Sequence, residues 1–314
     1  MRRRDGGTAS VGEAREPQCT GSVPAVVSVQ SQVAFGHVGN SAAIFPLQRL
    51  GVNVWPVPTT LLSNHPRYAS CRGRPISGRQ VAGLFRGLLE REVFRDADLL
   101  SGYLATPAAA RCVVAALTQA RREQRAGLRY VCDPVIGDRD VGRFVHPGLP
   151  ALIARRLLPL ADLITPNHYE LETLSGAQVR TEAEAIAAAR RLLSRHGRDQ
   201  GGRLSAVIIT SLQVAETPAE ALDVLAVLPT RAWRVRLPWL PVAVMGPGDL
   251  FCAVLTARWL LCGDLRAAFG AACDTTHGLL AESLRHGLTE LPLIAAQDRL
   301  VQPTDTFAKA MLEL

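Results

Sequence analysis

From Ala25 onward, short β-branched and aliphatic runs alternate with longer Ala-, Leu- and Arg-rich stretches whose apolar positions recur at helical spacing, as far as about residue 290. The runs predict strands over 25–29, 52–57, 98–101, 129–132, 162–164, 206–210, 221–227 and 231–235. Helices are predicted over 78–92, 108–124 and 183–196, each preceded by a residue that caps a first turn: Ser77, Thr106 before Pro107, and Thr181 before Glu182. Residues 246–285 read as two consecutive helices, one from Gly248 or Asp249 and one from about Leu265. Strands joined by helical crossovers predict an α/β fold, a mostly parallel sheet with helices on both faces. No repeat or long linker divides the chain, so 25–314 is expected to form one domain. Residues 1–24 mix charges with Gly, Ser and Pro without an apolar run, and are expected to be a disordered extension instead of a signal peptide.

In such a sheet, ligands gather beyond the carboxyl ends of the strands. The residues there are Ser31 and the string from Phe35 to Asn40, then Pro58-Thr59-Thr60, Gly102-Tyr103, Asp133-Pro134 with Gly137-Asp138, Thr165-Pro166-Asn167 with Glu170, and Thr210-Ser211. They are polar groups, glycines and prolines.

Composition narrows what they can do. The chain has 35 Lys and Arg against 28 Asp and Glu, a formal charge of +7, and its one lysine is Lys309. A Walker A loop, a protein-kinase strand lysine and a Schiff-base amine are therefore excluded. Phosphate, if bound, must be held by backbone N–H groups, helix N-termini, hydroxyls, arginine or a metal. The arginines are dispersed and aromatics are only 5% of residues, which argues against nucleic acid as a partner. No window is apolar enough to span a membrane. Seven scattered cysteines, never C-x-x-C, point to a reduced cytoplasm.

Met245-Gly246-Pro247-Gly248-Asp249 is a glycine turn running into an apolar helix, where freed N–H groups can face an anion. Asp249 fits either a helix cap or a base beside a substrate hydroxyl. Asp133, Asp138, Asn167 and Glu170, at two strand ends, suit Mg²⁺ with substrate phosphates, and each taken singly also suits a turn or cap. Thr210 and Ser211 suit phosphate oxygens or a turn, and Tyr103 a stacking ring or a core edge. No G-x-S-x-G elbow is present, which disfavours a serine hydrolase.

Together these strings resemble the pyridoxal kinase family of the ribokinase-like superfamily, from Val26 to about Arg299. The resemblance rests on Gln30-Ser31 with Phe35-Gly36-His37-Val38-Gly39-Asn40-Ser41, Asn53-Val54-Trp55-Pro56, Ser63-Asn64-His65, Ser101-Gly102-Tyr103-Leu104, Val131-Cys132-Asp133-Pro134-Val135, Thr165-Pro166-Asn167 and Ala296-Gln297-Asp298-Arg299. It implies a ribokinase-like three-layer α/β/α sandwich and ATP-dependent phosphorylation of the 5-hydroxymethyl group of pyridoxal and related B6 vitamers, in B6 salvage. It further implies Mg²⁺, a monovalent cation such as K⁺, and a homodimer. By resemblance, Asp249 is the base, with Gly246 and Gly248 forming the anion hole. Ser31, Thr59 and Tyr103 contact the substrate. Asp133, Asn167, Thr210 and Ser211 serve ATP, and Asp138 and Glu170 belong to the acidic group around the metal. Three features depart from the pattern: Pro247, which has no N–H between the two glycines, Gln32 where histidine is common, and the divergent segment 212–245. Two other readings fit the same strings, a hydroxymethylpyrimidine kinase-like enzyme and a catalytically weak carrier or sensor of pyridoxal.

Overall fold

The computed structural model describes residues 23–314, so the expectation for the N-terminal extension lies, up to residue 22, outside the described residues. In chain order the elements are β1 (Ala25–Val33), α1 (Asn40–Arg49), β2 (Asn53–Leu62), β3 (Gly73–Pro75), α2 (Gly78–Glu90), β4 (Ala97–Ser101) and α3 (Pro107–Glu123). Next come β5 (Tyr130–Cys132), the small hairpin β6 (Gly137–Asp138) and β7 (Gly142–Arg143), α4 (Leu149–Leu152), β8 (Leu163–Ile164), α5 (His168–Ser175) and α6 (Glu182–His196). The chain continues through β9 (Ala206–Leu212), β10 (Ala221–Val227), β11 (Ala232–Pro238), α7 (Pro247–Cys262), α8 (Leu265–Arg285), α9 (Asp298–Val301), α10 (Thr306–Lys309) and β12 (Leu312–Glu313).

Ten strands form one sheet in the order β12-β11-β10-β9-β8-β5-β4-β1-β2-β3. The central strands from β9 across to β2 are parallel, while β10, β11, β12 and β3 are antiparallel additions at the edges. The divergent segment 212–245 thus builds the β10–β11 edge hairpin.

Strand side chains alternate between two cores, as a period of two requires. Val27, Val29, Leu99 and Ile209 face a core closed by α2, α3 and α6. Val26, Leu100, Val131 and Ile208 face a second core closed by α1, α7 and α8. This is the α/β/α sandwich. The capping residues expected at Ser77, Thr106 and Thr181 each accept an N–H of the first turn, at 3.2–3.3 Å. Helix α7 is buried without a break from Leu250 to Ala257 because the sheet, α1 and α8 enclose it.

Four arginines gather on two aspartates at the amino ends of the strands, away from the ligand edge. Asp98 takes Arg129 through Nε at 3.0 Å and its backbone N–H at 2.8 Å. Asp162 takes Arg121 and Arg203, both at 3.0 Å, and the Tyr130 N–H at 2.8 Å. These half-buried pairs tie β4, β5 and β8 together at one end of the sheet.

Candidate active site

Several expected loop positions lie inside longer strands, Ser31 within β1, Thr59 and Thr60 within β2 and Thr210 and Ser211 within β9, and bulges set Thr59 and Ser211 apart. Between β1 and β2 the register slips, with Gln30 opposite Pro58 and Ser31 opposite Thr60, so Thr59 is the extra residue. Thr59 is consequently fully buried and its hydroxyl donates to the Tyr103 carbonyl at 2.6 Å. Pro56 and Pro58 are tolerated because β3 pairs with β2 only from Thr60 to Leu62. In β9, Thr210 and Ser211 together oppose Val224, and Ser211 is held at φ 52 with its side chain exposed. A non-glycine in the left-handed region at a strand bulge is a strained position of the kind found at ligand sites.

Asp249 stands in the first turn of α7, whose first helical bond runs from the Leu250 N–H to the Gly246 carbonyl at 3.0 Å. The N–H groups of Gly248 and Asp249 precede that bond and have no acceptor within the helix. Gly246 is left-handed at φ 85, and a Cβ there would lie 2.0 Å from the His37 carbonyl oxygen. Pro247 occupies the first helical position, where a missing N–H costs the helix nothing. The Asp249 carboxyl opens partly to the crevice but is crowded by protein, and this burial lifts it from 3.8 to about 6, against the nearby Gly39 N–H, which favours the ionised form. Gly39 reaches it through a backbone at φ 55, packed so tightly that a Cβ would sit 2.5 Å from Ser31 Oγ.

Asp133, at the end of β5, accepts the Thr165 hydroxyl at 2.9 Å. Burial drives its carboxyl well above the usual range, reinforced by the charges of Glu170 and then Asp249. Glu170 is raised to about 7 by burial, opposed by backbone N–H donors. Its Oε1 accepts from Ile136 at 2.8 Å and Gly137 at 3.4 Å, and its Oε2 from Asn167 at 2.9 Å. Asn167 in turn accepts the Glu170 N–H at 2.9 Å and donates to the Gly137 carbonyl at 2.8 Å. The pair is a capping box at the start of α5. Asp138 faces outward on the β6–β7 hairpin, 3.3 Å from Arg67, and accepts the Val141 N–H at 2.7 Å.

These acids bear on the expected metal. Among the described residues no group of three or more His, Cys, Asp and Glu is gathered for an ion. Mg²⁺ commonly takes only one or two protein carboxylates and completes its shell with water and phosphate oxygens. Asp133 fits that need, being carboxylate-flanked, free of any cationic partner and bonded to a single hydroxyl. Direct ligation by Glu170 or Asp138 would require giving up amide or arginine bonds they already make.

Tyr103 follows β4 half-buried, its ring packed on the first core. Sequence reasoning missed Gly39 as a donor to Asp249 and Thr165 as a donor to Asp133, although Thr165 directly follows β8. A surface depression of about 970 Å³ between α2 and α3 is lined by Arg79, Phe85, Leu89 and Cys112, and none of the site residues borders it.

A sheet of this order between two helical layers, with a glycine turn and an acid at its carboxyl edge, defines a ribokinase-like kinase fold. The sequence model of the phosphomethylpyrimidine kinase family matches residues 97–293. The chain is 40% identical over 283 residues to the pyridoxal kinase PdxY of Granulibacter bethesdensis, covering 90% of this chain and 98% of that protein. It is 40% identical over 291 residues to PdxY of Deinococcus radiodurans, covering 92% and 96%. Among solved structures, the pyridoxal kinase of Leishmania donovani in complex with ADP and ginkgotoxin superposes with a TM-score of 0.81 at 29% identity, over 89% of this chain and 96% of that one. The chain belongs to the pyridoxal kinase family.

Proposed function

We propose that this protein transfers the terminal phosphoryl group of ATP to the 5-hydroxymethyl group of pyridoxal. The observation that carries the reading is Asp249, a carboxylate raised toward neutrality beside the unpaired N–H groups of a helix N-terminus. At neutral pH it is ionised yet a better proton acceptor than an ordinary aspartate, so it aligns the substrate hydroxyl and takes its proton. The Gly248 and Asp249 N–H groups face the phosphoryl group in flight and stabilise its charge. Ser31 and Tyr103 border the ring of the substrate, and Thr59 acts through the Tyr103 carbonyl. Thr210, Ser211 and Asn167 face the ATP phosphates. Mg²⁺, when bound, neutralises phosphate charge; Asp133 would hold it, with Glu170 and Asp138 contributing negative potential. Backbone, hydroxyl and acid replace the lysine this chain lacks.

The relatives named above are pyridoxal kinases, which supports pyridoxal as acceptor. The family match to phosphomethylpyrimidine kinases keeps a hydroxymethylpyrimidine as second acceptor. Purified protein with ATP and Mg²⁺ is expected to convert pyridoxal with a kcat/KM well above that for hydroxymethylpyrimidine. The reverse order would overturn the assignment in favour of the pyrimidine, and pyridoxal binding without turnover would favour a carrier. A homodimer, activation by K⁺ and a cytoplasmic location belong to the same proposal by family resemblance. Among the described residues no helix is long and apolar enough to cross a membrane. Light scattering and a K⁺ titration of the rate check the first two.

A further inference from the structure

Glu290 belongs to none of the site motifs and follows α8 in an irregular stretch, yet its carboxylate sits under the loop 35–39. Its Oε2 accepts the His37 backbone N–H at 2.8 Å, and its Oε1 accepts the Tyr68 hydroxyl at 2.5 Å. Gly36, at φ +93, leaves the space the carboxylate occupies: a Cβ there would meet both carboxylate oxygens at 2.8 Å. The groups facing Glu290 are His37, whose Nδ1 lies 3.7 Å away, His65, Tyr68 and, beyond His65, Arg67. Burial lowers both histidines, so at neutral pH the anchor is the backbone N–H of His37 and not an ion pair.

The loop held this way touches three parts of the site. The His37 carbonyl lies against Gly246, Gly39 backs onto Ser31, and the Gly39 N–H near Asp249 favours its ionised form. Moving the loop therefore moves the neighbour of the glycine turn, the backing of a substrate-facing hydroxyl and the N–H beside the base together.

We propose that Glu290 is a positioning residue for phosphoryl transfer: its carboxylate pins loop 35–39 so that the His37 carbonyl stays against Gly246 at the head of α7 and Gly39 against Ser31, and fastens Tyr68 to the same anchor. The proposal rests on the reading of Asp249 as the base. A small displacement of such a loop degrades alignment more than binding. Glu290→Ala is expected to lower kcat about tenfold or more while the KM for ATP stays within about twofold. Drawing the Gly39 N–H away from Asp249 also moves the acidic limb of the kcat/KM profile to higher pH. Glu290→Gln keeps an oxygen for the His37 N–H and an amide for the Tyr68 oxygen, and is expected to restore the wild-type profile. Gly36→Ala, which drives a methyl group into the carboxylate, is expected to reproduce the Glu290→Ala kinetics and keeps the test available if that variant folds poorly. Wild-type kcat and pH limb in both Glu290→Ala and Gly36→Ala, or equal impairment in Glu290→Gln and Glu290→Ala, would overturn the proposal. Asp249→Asn run alongside separates the two claims: its full activity sinks the base assignment, whereas its inactivity beside an unaffected Glu290→Ala sinks only the positioning role.

Discussion

Replacing Asp249 by Asn should inactivate the enzyme and stabilise the fold. Burial raises this carboxyl from 3.8 to about 6, so the folded state holds its proton more tightly than the unfolded chain. Below the unfolded value both states are protonated and the acid costs nothing. As pH rises from 3.8 toward 6, the unfolded chain ionises first and wild-type stability falls. Above the folded value the cost is constant, about 3 kcal/mol at most for a shift of about two units, and nearer 1–2 after allowing for partial exposure to the crevice. Asparagine keeps an oxygen for the Gly39 N–H and cannot ionise. Urea unfolding without nucleotide or metal should give Asp249→Asn an advantage of at most about 1 kcal/mol near pH ~4.5, growing to a plateau above pH ~7. A variant no more stable than wild type at neutral pH, or an advantage that does not change with pH, would refute the burial argument.

Glu170→Ala removes the acceptor of three backbone N–H groups, and should cost about 2–4 kcal/mol in urea unfolding, with Glu170→Gln costing less. Breaking the exposed Arg67–Asp138 pair with Asp138→Asn should change stability by under about 1 kcal/mol, measured the same way. Pro247→Thr restores an N–H at the head of α7; if that group reaches the transferred phosphoryl, kcat rises, by as much as ~10²-fold, with the melting temperature little changed. An unchanged kcat would mean that the Gly248 and Asp249 N–H groups suffice.

Local signals carried much of the fold. Ser77, Thr106 and Thr181 cap their helices through short-range bonds that a sequence displays directly. Asn167 and Glu170 show the same legibility in a different sense: their spacing suits a cap as well as a metal, and the structure has the cap built. Strand ends were less legible, because a bulge is a property of two strands in register. Thr59 and Ser211 are placed by their partners on β1 and β10, not by their neighbours in the chain. Glu290 was invisible for a simpler reason, since it bonds His37 across 253 positions and no local pattern marks Glu290 or ties it to that loop. Lysine scarcity is legible in composition alone, whereas the gathering of Arg129 and Arg203 on Asp98 and Asp162 at the far edge required the fold.

The most direct test of the account is the rate of pyridoxal 5′-phosphate formation from pyridoxal, ATP and Mg²⁺ across pH, for wild type and Asp249→Asn. The account predicts a wild-type kcat/KM that climbs through about pH 6 to a plateau, tracking the Asp249 carboxyl. It predicts a variant slower by about 10²–10⁴-fold. A variant within tenfold of wild type, or a wild-type enzyme that yields no phosphorylated product, would contradict it.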